Sequence, residues 1–378
     1  MVLEHIRLHD FRNIPELNLE PSLGINAFYG KNGHGKTSFL EAIHFLAEGR
    51  SHRPVAPSDL VRRGCTQLSV FGDVRSALGT QDHLQASFAT SQRTLSLNDR
   101  ANVPLESYLG HLRVVTHSPE DSELLLGPPE ARRRFLNRIL VLIQPGFYRT
   151  LARYVRSLKN RNRCLKEHAS RDEIASWTEL LVTAGAGILA ARLALVSKLR
   201  TEIHTAIARI TSSAMPVSLR YRATQDLPSE TLSIEQANAL LQARSEQCSA
   251  QEARLERTLF GPHLDDLQFS VETGAARRHG SQGERRTILI ALRLAERAVI
   301  ASVTDDDPVF LLDDLSNELD DDRARRVLDV VSDLPGQTFV TGTAPPRMPA
   351  HAQLYFVESG RIRPEIPTPA AQPSNVPI

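Results

Sequence analysis

The pattern of apolar and polar positions changes character twice along the 378-residue chain. From residue 2 to about residue 118, short segments alternate apolar and polar residues, which is typical of strands, and one strand–loop–helix unit stands among them. Between about residues 119 and 258 the spacing becomes helical, and after Gly261 strands and helices alternate again. The pattern predicts an α/β domain that is interrupted by a helical insertion.

The domain boundaries follow these changes. The insertion contains Pro145, Pro216 and Pro228 and no sustained heptad repeat, so it should form a compact lobe and not a long coiled coil. The proline-rich end has no apolar periodicity and is expected to be disordered. We place the N-terminal half of the α/β domain at 1–118, the helical insertion at 119–258, the C-terminal half at 259–363 and the tail at 364–378.

Composition narrows the class of protein only slightly. The net charge is +1, so a surface for nucleic acid would have to be a local feature. The three cysteines are widely spaced and form no zinc motif, which favours a reduced, cytoplasmic protein. The charged N-terminus has no apolar signal core, and the most apolar segment, broken by Arg192, looks too short to span a bilayer. We expect a cytoplasmic protein without a membrane partner.

A glycine-rich loop carries the first chemical signal. GKNGHGKT fits the phosphate-loop pattern G-x-x-x-x-G-K-[ST], with a strand before it and a helix after it. Its backbone N–H groups would point at phosphate oxygens, Lys36 would reach the β- and γ-phosphates, and Thr37 would ligate Mg²⁺. A plain glycine-rich turn is the alternative. The residues expected to bind nucleotide here are Gly30, Lys31, Asn32, Gly33, His34, Gly35, Lys36, Thr37 and Ser38.

Two adjacent aspartates follow the apolar segment VFLL. A buried carboxylate costs several kcal/mol unless a cation compensates it. Asp313 would be the second protein ligand of Mg²⁺, and Asp314, on the other side of the strand, would orient the attacking water or accept its proton. The alternative is a solvated turn. Asp320, Asp321 and Asp322 are expected at the start of the next helix, where negative charge suits the helix dipole.

The segment HGSQGERRT predicts a helix start. Ser281 is a good N-cap and Glu284, three residues on, completes a capping box. That local structure can be the whole explanation. A helix N-terminus with Ser281 and Gly283 is also an anion site, although a chain with one phosphate loop needs a second only if it serves a nucleotide held by another copy.

Several short segments together resemble one family. FRNIPELNL, NGHGKTSFLEAIHFL, GRSHR, SPED, ARRRFLN, TLFGPHLDDL and SQGERRT are similar to segments of the RecF family of bacterial recombination mediators, which belongs with the SMC group of ABC-type ATPases. The resemblance runs from residue 2 to about residue 345. It implies that the split α/β domain is an ABC-type ATPase head, lobe I, and that the helical insertion is lobe II.

The resemblance also implies a function. ATP and Mg²⁺ would be the cofactors, and two copies would form a homodimer with each nucleotide between the phosphate loop of one and Ser281 of the other. Arg12 and Asn13 would lie near the base or phosphates, and Lys36, Asp314 and Ser281 would act in a slow, DNA-dependent ATP hydrolysis. The implied partners are DNA and mediator proteins of the RecO and RecR type, in recombinational repair, replication restart, RecA loading at gaps and SOS induction.

The sequence departs from the family pattern in places. Leu264 stands where the family usually carries arginine, which leaves the role of that loop open. Asp314 replaces the glutamate that ABC proteins more often use, as it does in other RecF proteins, and it would position water less well. The usual switch histidine is not evident, since Thr341 or Thr343 occupies its region.

A basic stripe marks the start of the insertion. Between residues 130 and 166 there are eleven Lys and Arg residues against one acid, Glu130. The side chains of Leu151, Val155, Leu158 and Leu165 should pack inward on the opposite side. The alternative is a solvated face that pairs with acids elsewhere. The residues expected to contact DNA phosphates, without sequence preference, are Arg149, Arg153, Arg156, Lys159 and Arg163.

Two other functions use the same phosphate loop. A nucleotide-binding subunit of a membrane transporter would have a shorter insert and an apolar docking surface. A P-loop kinase for a small metabolite would not require a second anion site at Ser281, and its ATP turnover would ignore DNA.

Overall fold

The computed structural model describes residues 1–211, 215–224, 226–315, 321–344 and 352–365. The α-helices whose bounds fall within these residues are α1 (Lys36–Glu48), α2 (Leu105–Tyr108), α3 (Ser122–Leu126), α4 (Pro129–Ile143), α5 (Phe147–Lys166), α6 (Arg171–Ile210), α7 (Ile234–Leu255), α8 (Ala276–His279), α9 (Gln282–Thr304) and α10 (Asp321–Ser332).

The strands lie between residues 2 and 117 and between residues 217 and 364. They are β1 (Val2–Phe11), β2 (Ile14–Leu19), β3 (Ile25–Tyr29), β4 (Gln67–Arg75), β5 (Gln81–Ala89), β6 (Gln92–Leu97), β7 (Val114–His117), β8 (Val217–Arg222), β9 (Asp266–Val271), β10 (Gly274–Ala275), β11 (Val309–Leu312), β12 (Thr338–Gly342), β13 (Gln353–Glu358) and β14 (Arg361–Pro364).

The chain divides into two compact units. The first unit is Met1–Val103 with Pro308–Ile378, and the second unit is Pro104–Asp307. These limits differ from the predicted ones at 118 and 258, because α9 packs along α6 and the segment between β9 and α9 therefore belongs with the inserted helices. The first unit is split by the second along the chain, and the second unit is longer than the insertion predicted from the periodicity.

The first unit contains a mixed sheet whose strands follow the order β14-β13-β3-β12-β11. Strands β13, β3, β12 and β11 are parallel to one another. The edge strand β14 is antiparallel to β13. All four residues of β11 are buried, as expected for a parallel strand that is covered on both faces. The carboxyl ends of β3, β12 and β11 therefore meet at one edge, where open α/β sheets bind their ligands.

An antiparallel sheet of order β2-β1-β4-β5-β6 completes the first unit. Helix α1 packs between the two sheets and contacts strands of both. Its apolar residues are buried in these contacts. Phe28 of β3, Phe39 of α1 and Phe339 of β12 pack ring against ring in this core. This packing holds the start of α1 at the end of β3.

The second unit is a helical core with a small antiparallel sheet of order β10-β9-β8. Helix α6 packs against α5, α7 and α9. It is 40 residues long, so the prediction that its apolar segment is too short to span a bilayer is wrong. The sequence continues on both sides without a helix breaker, which is why the helix extends.

By length and composition alone, α6 could cross a membrane. In its most apolar window, 67% of the residues are buried inside the protein, and core helices of soluble proteins meet the same criterion. Arg192 lies in this helix and is itself buried. It donates to Asn137 at 2.9 Å and to the carbonyl of Pro262 at 2.6 Å, which ties α6 to other parts of the second unit.

A buried ion network lies in the second unit. Arg293 donates to both carboxylate oxygens of Asp121, at 2.8 and 2.6 Å, and to Glu296 at 2.6 Å. Arg138 donates to Glu296 as well. Burial alone would raise the pKa of Asp121, but the charge of Arg293 outweighs it and holds that pKa below its ordinary range. Every carboxylate in this network thus meets a guanidinium.

Residues 364 and 365 were assigned to the disordered tail, but the structure places them at the end of β14. Pro364 is the last residue of β14, and the Glu365 N–H donates to the Leu354 carbonyl at 2.9 Å. Proline is tolerated there because β14 is an edge strand. Residues 366–378, and Asp320 among the acids expected at the start of α10, lie outside the described residues.

Candidate nucleotide site

The glycine-rich loop connects the end of β3 to the start of α1, as predicted. Gly35 precedes the helix with φ of 112°, a conformation that only glycine adopts readily. Gly30 faces the neighbouring strand so closely that a Cβ there would lie 2.2 Å from the Val357 carbonyl oxygen. The loop shape therefore depends on glycine at both positions.

The turn between β13 and β14 supports the loop from one side. Gly360 donates its N–H to the His34 carbonyl at 2.9 Å. Its own backbone lies against Asn13, because a Cβ at Gly360 would be 2.0 Å from the Asn13 carbonyl oxygen. The Asn13 side chain in turn donates to the Gly33 carbonyl at 3.1 Å. The phosphate loop is thus held by segments from both ends of the chain.

Lys36 begins α1, and its ammonium group turns back into the loop. Nζ donates to the carbonyl oxygens of Gly30 at 2.7 Å and Lys31 at 3.0 Å. Burial lowers the pKa of Lys36, and the Asp314 and Asp313 carboxylates oppose that shift. A phosphate oxygen could replace these carbonyl acceptors, so the ammonium is positioned for the predicted anion.

Asp313 follows directly after β11 and is 1% exposed. Its Oδ1 accepts hydrogen bonds from the hydroxyls of Thr37 at 3.0 Å and Thr341 at 2.7 Å. The two predicted Mg²⁺ ligands, Thr37 and Asp313, are therefore in direct contact. Burial raises the pKa of Asp313 above its ordinary value, and the hydrogen bonds from Thr341 and Thr37 only partly offset this. A cation at this site would favour the charged form.

The prediction that Asp314 lies on the other side of the strand is wrong. Asp314 lies beyond the end of β11 with φ of 56°, in the left-handed region, so the strand alternation no longer applies to it. Its N–H donates to the Thr341 hydroxyl at 2.8 Å. Asp313 and Asp314 consequently line the same cavity.

The cavity has a volume of about 800 Å³, enough for a nucleotide. Its lining includes most of the loop residues singled out from the sequence, together with Arg12 and Asn13. Arg12 is held by Glu41, to which it donates at 2.8 and 2.9 Å, and by the carbonyl of Asp59 at 2.9 Å. Three of the five guanidinium N–H groups are thereby used, and the others are left for a ligand.

Other lining residues were not predicted from the sequence. Arg53, Arg62 and Arg63 contribute positive charge to the cavity, and Thr341 contributes a hydroxyl. The segment GRSHR, which ends at Arg53, was a recognisable family string but carried no chemical signal of its own. An isolated β-bridge between Phe11 and Val61 holds Arg62 and Arg63 at the cavity. The apolar periodicity of the sequence does not reveal this contact.

The described residues contain no group of three or more His, Cys, Asp and Glu side chains that could hold a metal by themselves. This fits Mg²⁺ bound as nucleotide-binding proteins bind it, through one carboxylate, a hydroxyl and substrate phosphates. Thr37 and Asp313 match that donor set. The residues present therefore fit the implied ion only when a polyphosphate is bound with it.

Ser281 forms the predicted capping box in the second unit. Its hydroxyl accepts from the Glu284 N–H at 3.2 Å, and its own N–H donates to the Glu284 carboxylate at 2.7 Å. Within the described chain, the N–H groups of Gln282 and Gly283 make no hydrogen bond, as expected in the first turn of a helix. These two donors are available for an anion.

The basic stripe lies on α5, and all five of its predicted members are exposed. Val155 was expected to pack inward but is 56% exposed. Leu165 is buried as predicted, Leu151 and Leu158 are half-buried, and the buried face also includes Tyr154 and Arg161. Arg161 is among the basic residues counted from the sequence, but it is buried and donates to Glu252 at 2.6 Å.

One member of the stripe already has an acidic neighbour. Arg149 lies 2.5 Å from a carboxylate oxygen of Glu106. The stripe members without such a close partner among the described residues are Arg153, Arg156 and Lys159, while Arg163 is 3.9 Å from Glu167. The alternative interpretation, in which the basic residues pair with acidic side chains, therefore fits the two ends of the stripe better than its centre.

The loop around Leu264 lies in a polar cluster of the second unit. Tyr154 bonds to His263 Nδ1 at 2.7 Å, and Tyr221 donates to Asp265 at 2.7 Å. Burial lowers the pKa of His263 to about 4 and raises that of Asp265 to about 6. Leu264 itself is 41% exposed.

Known proteins resemble this chain over nearly its whole length. The model of the RecF/RecN/SMC N-terminal domain matches residues 2–361. The DNA replication and repair protein RecF of Anaeromyxobacter dehalogenans (strain 2CP-1 / ATCC BAA-258) is 36% identical over 378 residues, which cover 96% of this chain and 99% of that protein. RecF of Streptococcus pyogenes serotype M49 (strain NZ131) is 31% identical over 368 residues, 96% of this chain and 98% of that protein.

Solved structures agree with this result. A structure of the recombination mediator protein RecF with ATP in the RecFOR pathway matches with a TM-score of 0.87 and 27% identity, over 96% of this chain and 97% of that one. An Smc head bound to the C-terminal winged-helix domain of ScpA matches with a TM-score of 0.57 at 15% identity, over 97% of each chain, which supports the fold alone. The mixed α/β fold is therefore that of RecF and SMC head ATPases.

Proposed function

Because the chain belongs to the RecF family of DNA replication and repair proteins, we propose that it is an ATP-dependent DNA-binding protein that dimerises around its nucleotides. The observation that carries the proposal is the contact between Thr37 and Asp313 below the phosphate loop. These side chains come from distant parts of the chain and have little reason to share a buried site unless a cation and phosphates join them there.

ATP binding would rest on the loop and on the start of α1. Backbone N–H groups and the helix dipole would hold the phosphates, and Lys36 would exchange its loop carbonyls for β- and γ-phosphate oxygens. Thr37 and Asp313 would hold Mg²⁺, which when bound neutralises phosphate charge. Arg12, fixed by Glu41, would direct its remaining N–H groups to the nucleotide.

Hydrolysis would be slow and would serve as a switch. A water molecule attacks the γ-phosphorus, the bond to the β-phosphate oxygen breaks, and ADP and phosphate leave. Asp314 lines the cavity and is placed to orient that water or accept its proton. Its side chain is one methylene shorter than glutamate, so it would hold the water less firmly.

Dimerisation would complete each site in trans. The N–H groups of Gln282 and Gly283 and the exposed Ser281 hydroxyl form an anion-binding helix start. We assign it to the γ-phosphate held by the other copy. ATP would then favour the closed dimer because these contacts exist only in that state.

DNA would bind along the exposed stripe on α5, chiefly at Arg153, Arg156 and Lys159. Aromatic residues make up 5% of the chain, so stacking on bases is a weak theme and phosphate contacts should dominate. Duplexes or junctions would then be bound without sequence preference. By family, the partners would be mediator proteins of the RecO and RecR type, and the outcome RecA loading at gaps.

The test is ATP hydrolysis by the purified protein across protein concentration, with and without duplex DNA. Turnover per molecule should rise with concentration and with DNA. Lys36→Met should abolish ATP binding and dimerisation, whereas Ser281→Arg should bind ATP but remain monomeric. Turnover that ignores both concentration and DNA would contradict the proposal and favour a P-loop kinase.

The DNA assignment is tested in the same assay. The double variant Arg153→Glu with Arg156→Glu should lose DNA stimulation and at least tenfold in DNA affinity at moderate salt, with ATP binding retained. The control carries the same change of charge at the exposed Arg254 and Arg257 on and just beyond α7. Equal DNA affinity of the two double variants would contradict the role of α5.

A further inference from the structure

We propose that Thr341 is the positioning residue of the ATPase site, and that its single hydroxyl group aligns both acidic residues, Asp313 and Asp314. This rests on the proposed ATPase function and assigns a new residue to it. The threonine is not itself expected to touch ATP or Mg²⁺. It would act through the two aspartates.

The sheet register places Thr341 beside the acids. In the parallel pair β11 and β12, Leu312 lies opposite Val340, so the next residues, Asp313 and Thr341, are neighbours across the sheet edge. On its other side Thr341 lies opposite Phe28 of β3, which leads into the phosphate loop. Thr341 therefore stands between the strand that carries the loop and the strand that carries the acids.

The hydroxyl of Thr341 uses both its donor and its acceptor capacity. It donates to Asp313 Oδ1 at 2.7 Å and accepts from the Asp314 N–H at 2.8 Å. Thr341 is 2% exposed, so water cannot easily replace either bond. One buried side chain thus fixes the carboxylate of one residue and the backbone of the next.

For Asp313 the consequence is the choice of ligand atom. Oδ1 receives the hydroxyls of Thr37 and Thr341, and within the described chain no hydrogen bond falls on Oδ2. Of the two oxygens, Oδ2 is therefore the one left for a cation. Without Thr341, the carboxylate could rotate, and its orientation would be set by Thr37 alone, which is itself a predicted Mg²⁺ ligand.

For Asp314 the consequence is a held backbone. Asp314 has φ of 56°, in the left-handed region that is unfavourable for residues other than glycine. The hydrogen bond from its N–H to Thr341 helps to hold that conformation. It keeps Asp314 beside Asp313 in the cavity, where a water near the γ-phosphate would lie.

The experiment compares Thr341→Val with Thr341→Ser. Valine keeps the shape but removes the hydroxyl, whereas serine keeps the hydroxyl. We expect Thr341→Val to lower kcat about 10- to 100-fold and to weaken Mg²⁺-dependent ATP binding, as loss of an outer partner of a metal ligand typically does. ATP binding without Mg²⁺ should change less than about twofold, because the loop and Lys36 remain.

Thr338→Val on the same strand is the matched control. Thr338 is also buried, and its hydroxyl makes no hydrogen bond within the described residues. This variant should keep kcat and Mg²⁺ dependence, and Thr341→Ser should restore most of both. If Thr341→Val behaves like Thr338→Val, or if serine fails to rescue, the inference is wrong. Absence of Mg²⁺-dependent ATP binding in the unmodified protein would instead overturn the proposed function.

Discussion

Two buried carboxylates, Asp121 of the second unit and Asp313 of the first unit, are surrounded differently. In the second unit, Asp121 and Glu296 are each bound by the guanidinium of Arg293. In the first unit, Asp313 is as deeply buried, but the hydrogen bonds that it accepts from the described residues come from hydroxyl groups. The pKa of Asp121 is accordingly lowered and that of Asp313 raised, although burial acts in the same direction on both. Of these two acids, Asp121 is neutralised within the protein, whereas Asp313 is left for a cation, as expected of a candidate binding site.

The strongest test of this difference removes the cation from the second unit. Arg293→Met removes the guanidinium that binds the buried Asp121 carboxylate. This loss should lower the free energy of unfolding by about 3 to 5 kcal/mol. Urea denaturation measures it. Arg325→Met, which breaks an exposed pair with Asp322 on α10, should change stability by less than about 0.5 kcal/mol. Similar losses in the two variants would mean that the buried network contributes no more than a surface pair.

A smaller effect is expected from the polar cluster at His263. Its pKa is lowered to about 4 by burial, so the unfolded chain takes up a proton first as the pH falls. Stability should therefore drop by about 1 to 2 kcal/mol between pH 7.5 and pH 5. His263→Gln, which can still accept from Tyr154, should lack this loss in thermal unfolding.

The neighbouring Asp265 acts in the opposite direction. Its pKa is raised to about 6, so its contribution to stability falls as the pH rises from about 4 through 6. This part of the profile is common to the unmodified protein and to His263→Gln, and the difference between their curves isolates the histidine. Parallel curves for the two proteins would show that His263 does not titrate as its burial predicts.

The smallest expected change is a gain. The pKa of Asp313 in the folded protein is raised above its ordinary value of 3.8. Asp313 therefore ionises more readily in the unfolded chain, and at neutral pH it opposes folding. Asp313→Asn should raise the stability of the nucleotide-free protein by about 1 kcal/mol and abolish further stabilisation by Mg²⁺ with ATP. The exposed Asp329→Asn on α10 is the control. A loss of stability in Asp313→Asn would make the acid structural, like Asp121.

Much of the site could be predicted because its parts are local. The phosphate loop is a motif of eight consecutive residues, and Asp313 is marked by the apolar strand before it. The hydroxyl of Ser281 and the carboxylate of Glu284 are three positions apart, so their capping box is visible in the sequence. Where one backbone segment determines the geometry, the pattern was sufficient.

The errors came from contacts between distant segments. The left-handed backbone of Asp314 is supported by Thr341, 27 positions away, and no strand pattern shows it. Val155 was predicted to be buried because it is apolar, but it is exposed. Arg161 is buried and donates a hydrogen bond to Glu252, a residue distant in sequence. The length of the inserted unit likewise depended on α9 packing on α6.

The contact of Gly360 with His34 also has a consequence for synthesis of the chain. The phosphate loop lies within the first tenth of the sequence, but the strands on either side of β3 and the turn that supports the loop are translated last. A nascent chain therefore contains the complete phosphate-loop motif long before it contains the strands and the turn that support the loop. Until the turn at Gly360 has been synthesised, the phosphate loop lacks this support, so we expect an unfinished copy not to bind ATP.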